Sequence, residues 1–260
     1  MPMNPRLLVP RATFDPDAAA YLRAVEAADG QALETPVKKA VDDFFRGTKA
    51  DGTFSALKAS CILCGARTLA GALVPLAGTA PTNNNFVDAD YNRETGLKGN
   101  GSTKYLDSNR AADADLESNH HISVFAVEGQ AANQVAIGSY GIAATSYSLI
   151  YSAVSDLMQF YSLGNTASFS NRARTNLLGL SRASLESFSV RAGGESSTTS
   201  LTATGSLESQ SHYVFAANNA GSVTQMSSAR LAFYSIGESL DLALLDARVT
   251  ALVAAIGAAL

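Results

Sequence analysis

The side chains that could perform chemistry in this chain are few, and the two cysteines are the first candidates. Cys61 and Cys64 form a lone Cys-x-x-Cys motif. A zinc site needs four ligands, and the whole sequence contains only three histidines to complete one. A redox motif of this spacing belongs beside a βαβ unit, which these flanking residues do not indicate. We interpret both cysteines as buried thiols, with redox chemistry and metal binding as alternatives.

Acidic and amide side chains alternate in one short segment, which makes calcium a second candidate. They are Asp88, Asp90, Asn92 and Glu94. An EF-hand loop requires glycine at its sixth position, and Arg93 occupies that position here. We interpret the segment as a solvated loop with turn-forming side chains, and calcium binding is the alternative.

A histidine pair, His120 and His121, comes just before an apolar run at residues 122–127. With Asp115 or Glu117 it could imitate a metal site or an acid/base set. Neighbouring residues on a strand point to opposite faces, so the two imidazoles are not expected to converge. The sequence favours exposed histidines at the edge of a strand. The third histidine, His212, belongs to no motif.

The spacing of the remaining polar residues predicts no catalytic set. Glycoside hydrolysis needs two carboxylates on facing strands of a cleft. The acidic residues between positions 122 and 237 are scattered: Glu128, Asp156, Glu186, Glu195 and Glu208. Residues 138–141 (GSYG) lack the spacing of a Gly-x-Ser-x-Gly nucleophile elbow. The sequence therefore predicts a protein that is not an enzyme, with no catalytic, metal or cofactor-binding residues and no cofactor. A glycan-processing enzyme is the remote alternative.

Four tyrosines offer a different chemistry, which is sugar recognition. Tyr140, Tyr147, Tyr151 and Tyr161 lie among serine, threonine and asparagine. An aromatic face can stack on a pyranose while short polar side chains hydrogen-bond its hydroxyls. The same composition is ordinary for strand surfaces, so the sequence assigns no ligand-binding residue.

Composition limits the classes of partner. The charged fraction is 16% and the formal net charge is −4, which argues against electrostatic binding to nucleic acid. No apolar run reaches the length of a membrane span, and the start of the chain lacks the apolar core of a signal peptide. We expect synthesis in a cytoplasm and no membrane insertion. The length of 260 residues suffices for one large domain or a domain with a subdomain.

The N-terminal part of the chain is predicted to be an arm followed by helices. Residues 1–14 contain three prolines and favour an extended arm. Residues 15–64 are predicted to form a helical subdomain. Asp15-Pro16 opens its first helix and Asp29-Gly30 ends it. An apolar repeat predicts a second helix from about 34 to 46, closed by Gly47. Residues 54–63 are a short helix or a strand.

The rest of the chain is predicted to be a β-sandwich with a closing helix. Short strand-like runs alternate with turn residues over 65–237, as in an antiparallel sandwich or barrel. The last strand lies at 229–236 and has bulky residues on both faces. Residues 238–260 follow as an amphipathic helix, opened by Glu238 or Ser239. Its apolar stripe packs on the sandwich; a self-association helix is the alternative.

Several segments together resemble one protein group. They are 26–34 (EAADGQALE), 80–86 (APTNNNF), 91–106 (YNRETGLKGNGSTKYL), 178–182 (LGLSR) and 215–222 (FAANNAGS), followed by the closing strand and helix. From about residue 20 to its end, the chain resembles bacteriophage virion structural proteins with a concanavalin A-like, laminin-G-like jelly roll.

The resemblance implies a mostly β fold, namely a two-sheet antiparallel jelly-roll sandwich with an N-terminal helical subdomain and a C-terminal helix. It implies a non-enzymatic protein displayed on the virion, made in the host cytoplasm, as part of the tail, baseplate or fibre apparatus. Its partners would be other virion proteins, further copies of itself as an oligomer (a trimer), and host surface glycan. The alternative is a capsid decoration protein that stabilises the head during viral assembly.

Overall fold

The computed structural model describes residues 14–141, 145–153, 157–170 and 173–260. Within these ranges the chain is mostly β, with two antiparallel sheets that form a jelly-roll-type sandwich. Four α-helices accompany them: α1 (Pro16–Asp29), α2 (Thr35–Ala50), α3 (Leu69–Ala72) and α4 (Leu242–Gly257). The predicted fold class is confirmed. The predicted arm lies outside the described residues except for Phe14.

The first sheet is built around a long central strand. In the described chain it contains eight strands: β1 (Leu57–Ile62), β3 (Tyr91–Asn92), β4 (Gly96–Lys98), β6 (His120–Glu128), β11 (Asn176–Arg182), β12 (Phe188–Ala192), β13 (Glu195–Thr199) and β17 (Arg230–Gly237). Their order is β13-β12-β11-β6-β17-β4-β3, and β1 pairs with β17 on the same side as β4. Strand β6 pairs along its length with β11 and β17.

The second sheet packs on one face of the first. In the described chain it contains nine strands: β2 (Thr82–Asn84), β5 (Tyr105–Ala111), β7 (Gln134–Tyr140), β8 (Tyr147–Ser152), β9 (Leu157–Ser162), β10 (Asn165–Ser170), β14 (Ser211–Val214), β15 (Ala217–Asn219) and β16 (Ser222–Thr224). The main order is β10-β9-β8-β7-β14-β5-β2. Strand β15 runs parallel to the end of β7 and pairs with β16.

Helices cover the other face of the first sheet, so that this sheet is the middle layer of three. Ile122 and Val124 of β6 belong to the core between the two sheets, whereas Phe125 of the same strand belongs to the core beneath the helices. Phe233 of β17 meets Phe44 of α2 edge to face, with ring centroids 5.9 Å apart. The alternation of side chains along each strand thus supplies both cores. None of the helices in the described residues is long and apolar enough to cross a membrane.

The start and end of α1 follow the sequence signals. The Asp15 side chain accepts hydrogen bonds from the backbone N–H groups of Asp17 and Ala18, and Gly30 ends the helix at φ 66°. The predicted end of α2 at Gly47 is wrong, because that helix continues to Ala50. A Cβ atom at Gly47 would lie 2.8 Å from the Arg248 side chain of α4, so this glycine permits close packing of two helices.

One open alternative is decided by the structure, and one predicted helix cap is wrong. The segment left open at 54–63 is a short 3₁₀ turn followed by strand β1, whose register with β17 places it in the first sheet. A strand of the sandwich therefore lies inside the stretch predicted as helical, residues 15–64. Helix α4 is capped by Asp241, not by Glu238 or Ser239. Its apolar stripe is buried against the chain itself: Leu242, Leu245, Val249, Leu252 and Ile256.

Candidate functional site

The four tyrosines singled out in the sequence come together on the outer face of the second sheet. Tyr140 lies on β7, Tyr147 and Tyr151 on β8, and Tyr161 on β9. These three strands are neighbours, and alternate residues of each point away from the sandwich core. A small apolar floor lies beneath the rings: Val135, Leu149 and Ala217.

The rings form a connected series. Tyr140 and Tyr147 are stacked, with centroids 5.3 Å apart and 30° between the ring planes. Tyr147 and Tyr161 lie 5.7 Å apart, and Tyr151 approaches Tyr161 edge-on at 6.5 Å. Together with Leu149 and Gln225 the four rings line a depression of about 320 Å³. We call it the tyrosine depression. Its volume lies at the lower end of the roughly 300–1,000 Å³ found for small-molecule sites.

Hydrogen bonds hold three of the four tyrosine hydroxyls. Tyr140 Oη lies 3.0 Å from Thr224 Oγ1, Tyr151 Oη donates to Asn133 Oδ1 over 2.8 Å, and Tyr161 Oη donates to Gln159 Oε1 over 3.0 Å. Among the described residues the Tyr147 hydroxyl makes no hydrogen bond, and Tyr147 lines the depression. Burial raises the pKa of Tyr161, and the neighbouring tyrosines Tyr151 and Tyr147 raise it further, so its hydroxyl stays neutral and donates.

A second depression of about 350 Å³ adjoins the first and shares Gln225 with it. We call it the amide depression, because glutamine and asparagine are prominent in its lining: Gly101, Ser102, Ala132, Asn133, Gln134, Val223, Thr224, Gln225 and Met226. Several loops contribute these residues, together with strand β16 and the start of β7. No side chain that the described chain places in the lining of either depression is charged.

The histidine pair does not occupy this site, and its predicted exposure is wrong. His120 and His121 are 3% and 0% exposed, because β6 begins at His120 and is the central strand of its sheet. The two rings do diverge. His120 Nε2 lies 3.4 Å from Ser162 Oγ between the sheets, whereas His121 Nε2 lies 2.9 Å from Ser235 Oγ on the helix-covered side. Burial lowers the pKa of each to about 4.

A buried polar cluster lies between the sheets near His120, and no pattern in the sequence predicts it. Arg182 is fully buried, and its Nε donates to Ser162 Oγ over 3.0 Å. Its Nη1 donates to the backbone oxygen of Leu185 over 3.0 Å, and its guanidinium lies over the Phe188 ring at 5.0 Å. These contacts tie the loop after β11 to the sandwich. In the described chain Arg182, Ser162 and Phe188 belong to the interior between the sheets and not to the lining of the tyrosine depression or of the amide depression.

The remaining sequence candidates also lie elsewhere. Cys61 and Cys64 are unpaired and buried, and burial raises the pKa of both thiols to about 12. Their interpretation as buried thiols is confirmed. In the acidic segment, Asp90 pairs with Lys104 and Asn92 Oδ1 accepts from the backbone N–H of Thr95 over 3.0 Å. Those two side chains serve the loop itself. In the part of the chain that the structure describes, histidine, cysteine and acidic side chains form no metal-binding group.

Comparison with known proteins gives similarities of fold only. No protein-family model and no curated protein matches the sequence. The NanB sialidase from Streptococcus pneumoniae aligns with 58% of this chain at 15% identity and a TM-score of 0.41, and the match spans 26% of the sialidase. The CBM40 domain of the Ruminococcus gnavus IT-sialidase, solved with α2,6 sialyllactose, aligns with 62% of this chain at 13% identity and a TM-score of 0.40. The match spans 97% of that domain. The binding domain of botulinum neurotoxin serotype D aligns with 76% of this chain at 10% identity and a TM-score of 0.46. The match spans 52% of that domain.

Proposed function

We propose that this chain is a non-enzymatic, carbohydrate-binding β-sandwich, and that the tyrosine depression is its glycan site. One observation carries the proposal: four half-buried tyrosines from three neighbouring strands line a single surface depression. Scattered surface tyrosines would not require an explanation, but a continuous series of four on one sheet face does.

The chemistry of these side chains matches a sugar ring. A pyranose has apolar C–H faces and a rim of hydroxyl groups, so it needs flat apolar surfaces beside hydrogen-bonding groups. Tyr147 and Tyr161 offer ring faces, and the Tyr147 hydroxyl at the depression can hydrogen-bond a sugar hydroxyl. Tyrosine loses little conformational entropy on binding, and these rings are already packed against one another.

The lining of the depression also supports binding without chemistry. The described lining consists of tyrosine, leucine and glutamine, and none of these supplies the carboxylate pair that glycoside hydrolysis needs. The pKa of Tyr161 is raised, so its hydroxyl stays protonated and is poorly suited to act as a general base. Release of product from any bound glycan, measured by mass spectrometry, would contradict the non-enzymatic part of the proposal.

For the biological setting we propose a virion surface protein of the tail, baseplate or fibre apparatus, with capsid decoration as the alternative. The sequence resemblance supports this setting. Quantitative mass spectrometry of purified particles, against the major capsid protein, tests it. A few copies in multiples of three or six indicate a tail component, and hundreds indicate decoration. Absence from particles contradicts both.

A glycan array probed with the full chain tests the binding site. We expect bound glycans, and an affinity loss of at least about tenfold for Tyr147→Ala and Tyr161→Ala, because each removes a stacking face. The matched control is Tyr105→Ala, which alters a tyrosine pair elsewhere on the same sheet, with ring centroids 4.8 Å apart. Failure to bind any glycan, or equal losses for the control, would overturn the proposal.

A further inference from the structure

The amide depression continues the tyrosine depression. Gln225 lines both. Two tyrosines of the first are hydrogen-bonded to residues that line the second, Tyr140 to Thr224 and Tyr151 to Asn133. These bonds fix the two linings relative to one another. A ligand on the tyrosine rings therefore has a preformed polar surface directly beside it.

The amide side chains of Gln134 and Gln225 line this second surface. Gln134 Oε1 accepts from the backbone N–H of Ser228 over 2.7 Å and from its hydroxyl over 2.8 Å, which orients the amide. Its Nε2 lies against Gly101, where a Cβ atom would approach it to 2.9 Å, and it has no acceptor among the described residues. The Gln225 amide likewise has no hydrogen-bond partner in the described chain.

The backbone holds Gln225 in an unusual conformation. Its φ is +52°, in the left-handed region that glycine favours and glutamine rarely adopts. Its carbonyl accepts from the backbone N–H of Val135 over 2.8 Å, which anchors the residue to β7 beneath the rings. Strained positions of this kind are common where a side chain must be presented to a ligand. The strain here presents an amide at the boundary of the two depressions.

The charge of the surface restricts the ligand further. Across both depressions the side chains that the described chain contributes are uncharged, and the chain as a whole carries a formal net charge of −4. A carboxylated or sulfated sugar would lose hydration there without gaining a cationic partner. A neutral sugar meets no such cost.

From these observations we infer that the site binds a neutral oligosaccharide of at least two sugar units. One unit stacks on the tyrosine rings, and the next is hydrogen-bonded by the amides of Gln225 and Gln134. The inference rests on the proposed glycan-binding function and specifies its ligand class.

Chain length is tested first, with a ladder of one to four units of a neutral glycan retained on the array, measured by titration calorimetry. We expect affinity to rise at least about tenfold from one unit to two. Further units should change it little, because they extend past the two depressions. Gln225→Gly removes the amide but suits the left-handed backbone, so it should abolish the gain without unfolding the chain. The control is Gln31→Ala, an exposed glutamine in the helical layer. Equal affinity for one and two units would overturn the inference, while the proposed function would stand.

Charge preference is tested with pairs of neutral glycans and their sialylated or sulfated counterparts. The natural chain should bind the neutral member of each pair more tightly. Ser102→Arg places a cation on an exposed residue of the amide depression and should raise affinity for the acidic member of each pair relative to the neutral member. Preference of the natural chain for acidic glycans would overturn the inference. Absence of any binding would instead overturn the proposed function.

Discussion

The two sheets of this sandwich differ most in what covers their outer faces. The first sheet carries phenylalanines such as Phe125 and Phe233 there, and helices bury them completely or nearly so. The second sheet carries half-buried tyrosines such as Tyr147 and Tyr161, and no helix of the described chain packs on them. A phenyl ring stabilises the fold only when it is buried away from water. A phenol ring can stay in contact with water through its hydroxyl and still offer a stacking surface. Side-chain chemistry thus distinguishes the helix-covered face of the first sheet from the open face of the second sheet, which we propose as the ligand-binding face.

Substitution of one aromatic residue on each face by alanine should give the largest difference between the two faces. Phe233 is fully buried and contacts Phe44, so Phe233→Ala should lower the free energy of unfolding by about 3–5 kcal/mol. Tyr161→Ala on the open face should cost about 1 kcal/mol or less in stability. Urea denaturation followed by circular dichroism measures both.

Binding should respond in the opposite order. At temperatures where both variants remain folded, Phe233→Ala should keep its affinity for glycan, because its side chain lies on the far side of the first sheet. Tyr161→Ala should lose affinity. Comparable stability losses for the two variants would mean that the tyrosine face is a packed core, and the distinction between the sheets would fail.

Acid should weaken the covered layers while leaving the open face unchanged. Burial lowers the pKa of His120 and His121 from 6.5 to about 4, and that of His212 to about 3. Below pH 6.5 these histidines bind protons in the unfolded chain but not in the folded chain. Their contribution to the free energy of unfolding is therefore fully present above pH 6.5 and is lost as the pH falls towards 4. The slope should be on the order of 1 kcal/mol per pH unit for each histidine.

The window from pH 6.5 to 5 isolates the histidines from the carboxylates. Glu34, for example, has its pKa lowered to about 2 by the Arg93 guanidinium, so it contributes only at lower pH. His121→Gln should give a shallower dependence of unfolding free energy on pH. Glycan affinity should stay constant across this window, since burial raises the pKa of Tyr161 further above it. Stability independent of pH between 6.5 and 5 would contradict the burial of the histidines.

The sequence predicted the element types well where local signals are strong. Asp15 and Gly30 mark the two ends of α1, and the four tyrosines of β7 to β9 stand out among short polar residues in the sequence itself. Prediction from the sequence was wrong or left open where pairing with a strand distant in the chain determines burial or secondary structure. His120 and His121 resemble edge residues until β6 pairs on both sides with β11 and β17. Residues 57–62 become a strand because β17 pairs with them.

The amide depression could not be found from the sequence for the same reason. Gly101, Asn133 and Gln225 belong to three loops that are far apart in the chain, and only the sheet brings them together. Gly101 and Asn133 are ordinary turn residues that tolerate positive φ, and a lone glutamine such as Gln225 carries no local signal of a binding site. Gly47 shows the converse, since a residue that normally ends a helix is used there for helix packing.

The smallest expected effect concerns two parts of the same tyrosine side chain on the open face. Tyr151→Phe keeps the ring and removes only the hydroxyl that donates to Asn133 Oδ1 over 2.8 Å. Stability should change by about 1 kcal/mol or less, because a partly exposed hydrogen bond is replaced by one to water. Affinity for a single sugar should stay constant, since the stacking face remains. Affinity for two linked sugars should fall by less than about fivefold, because Asn133 loses the contact that orients it. Calorimetry with both ligands measures the two values, and a larger loss for the single sugar would place the hydroxyl, not the ring, at the centre of recognition.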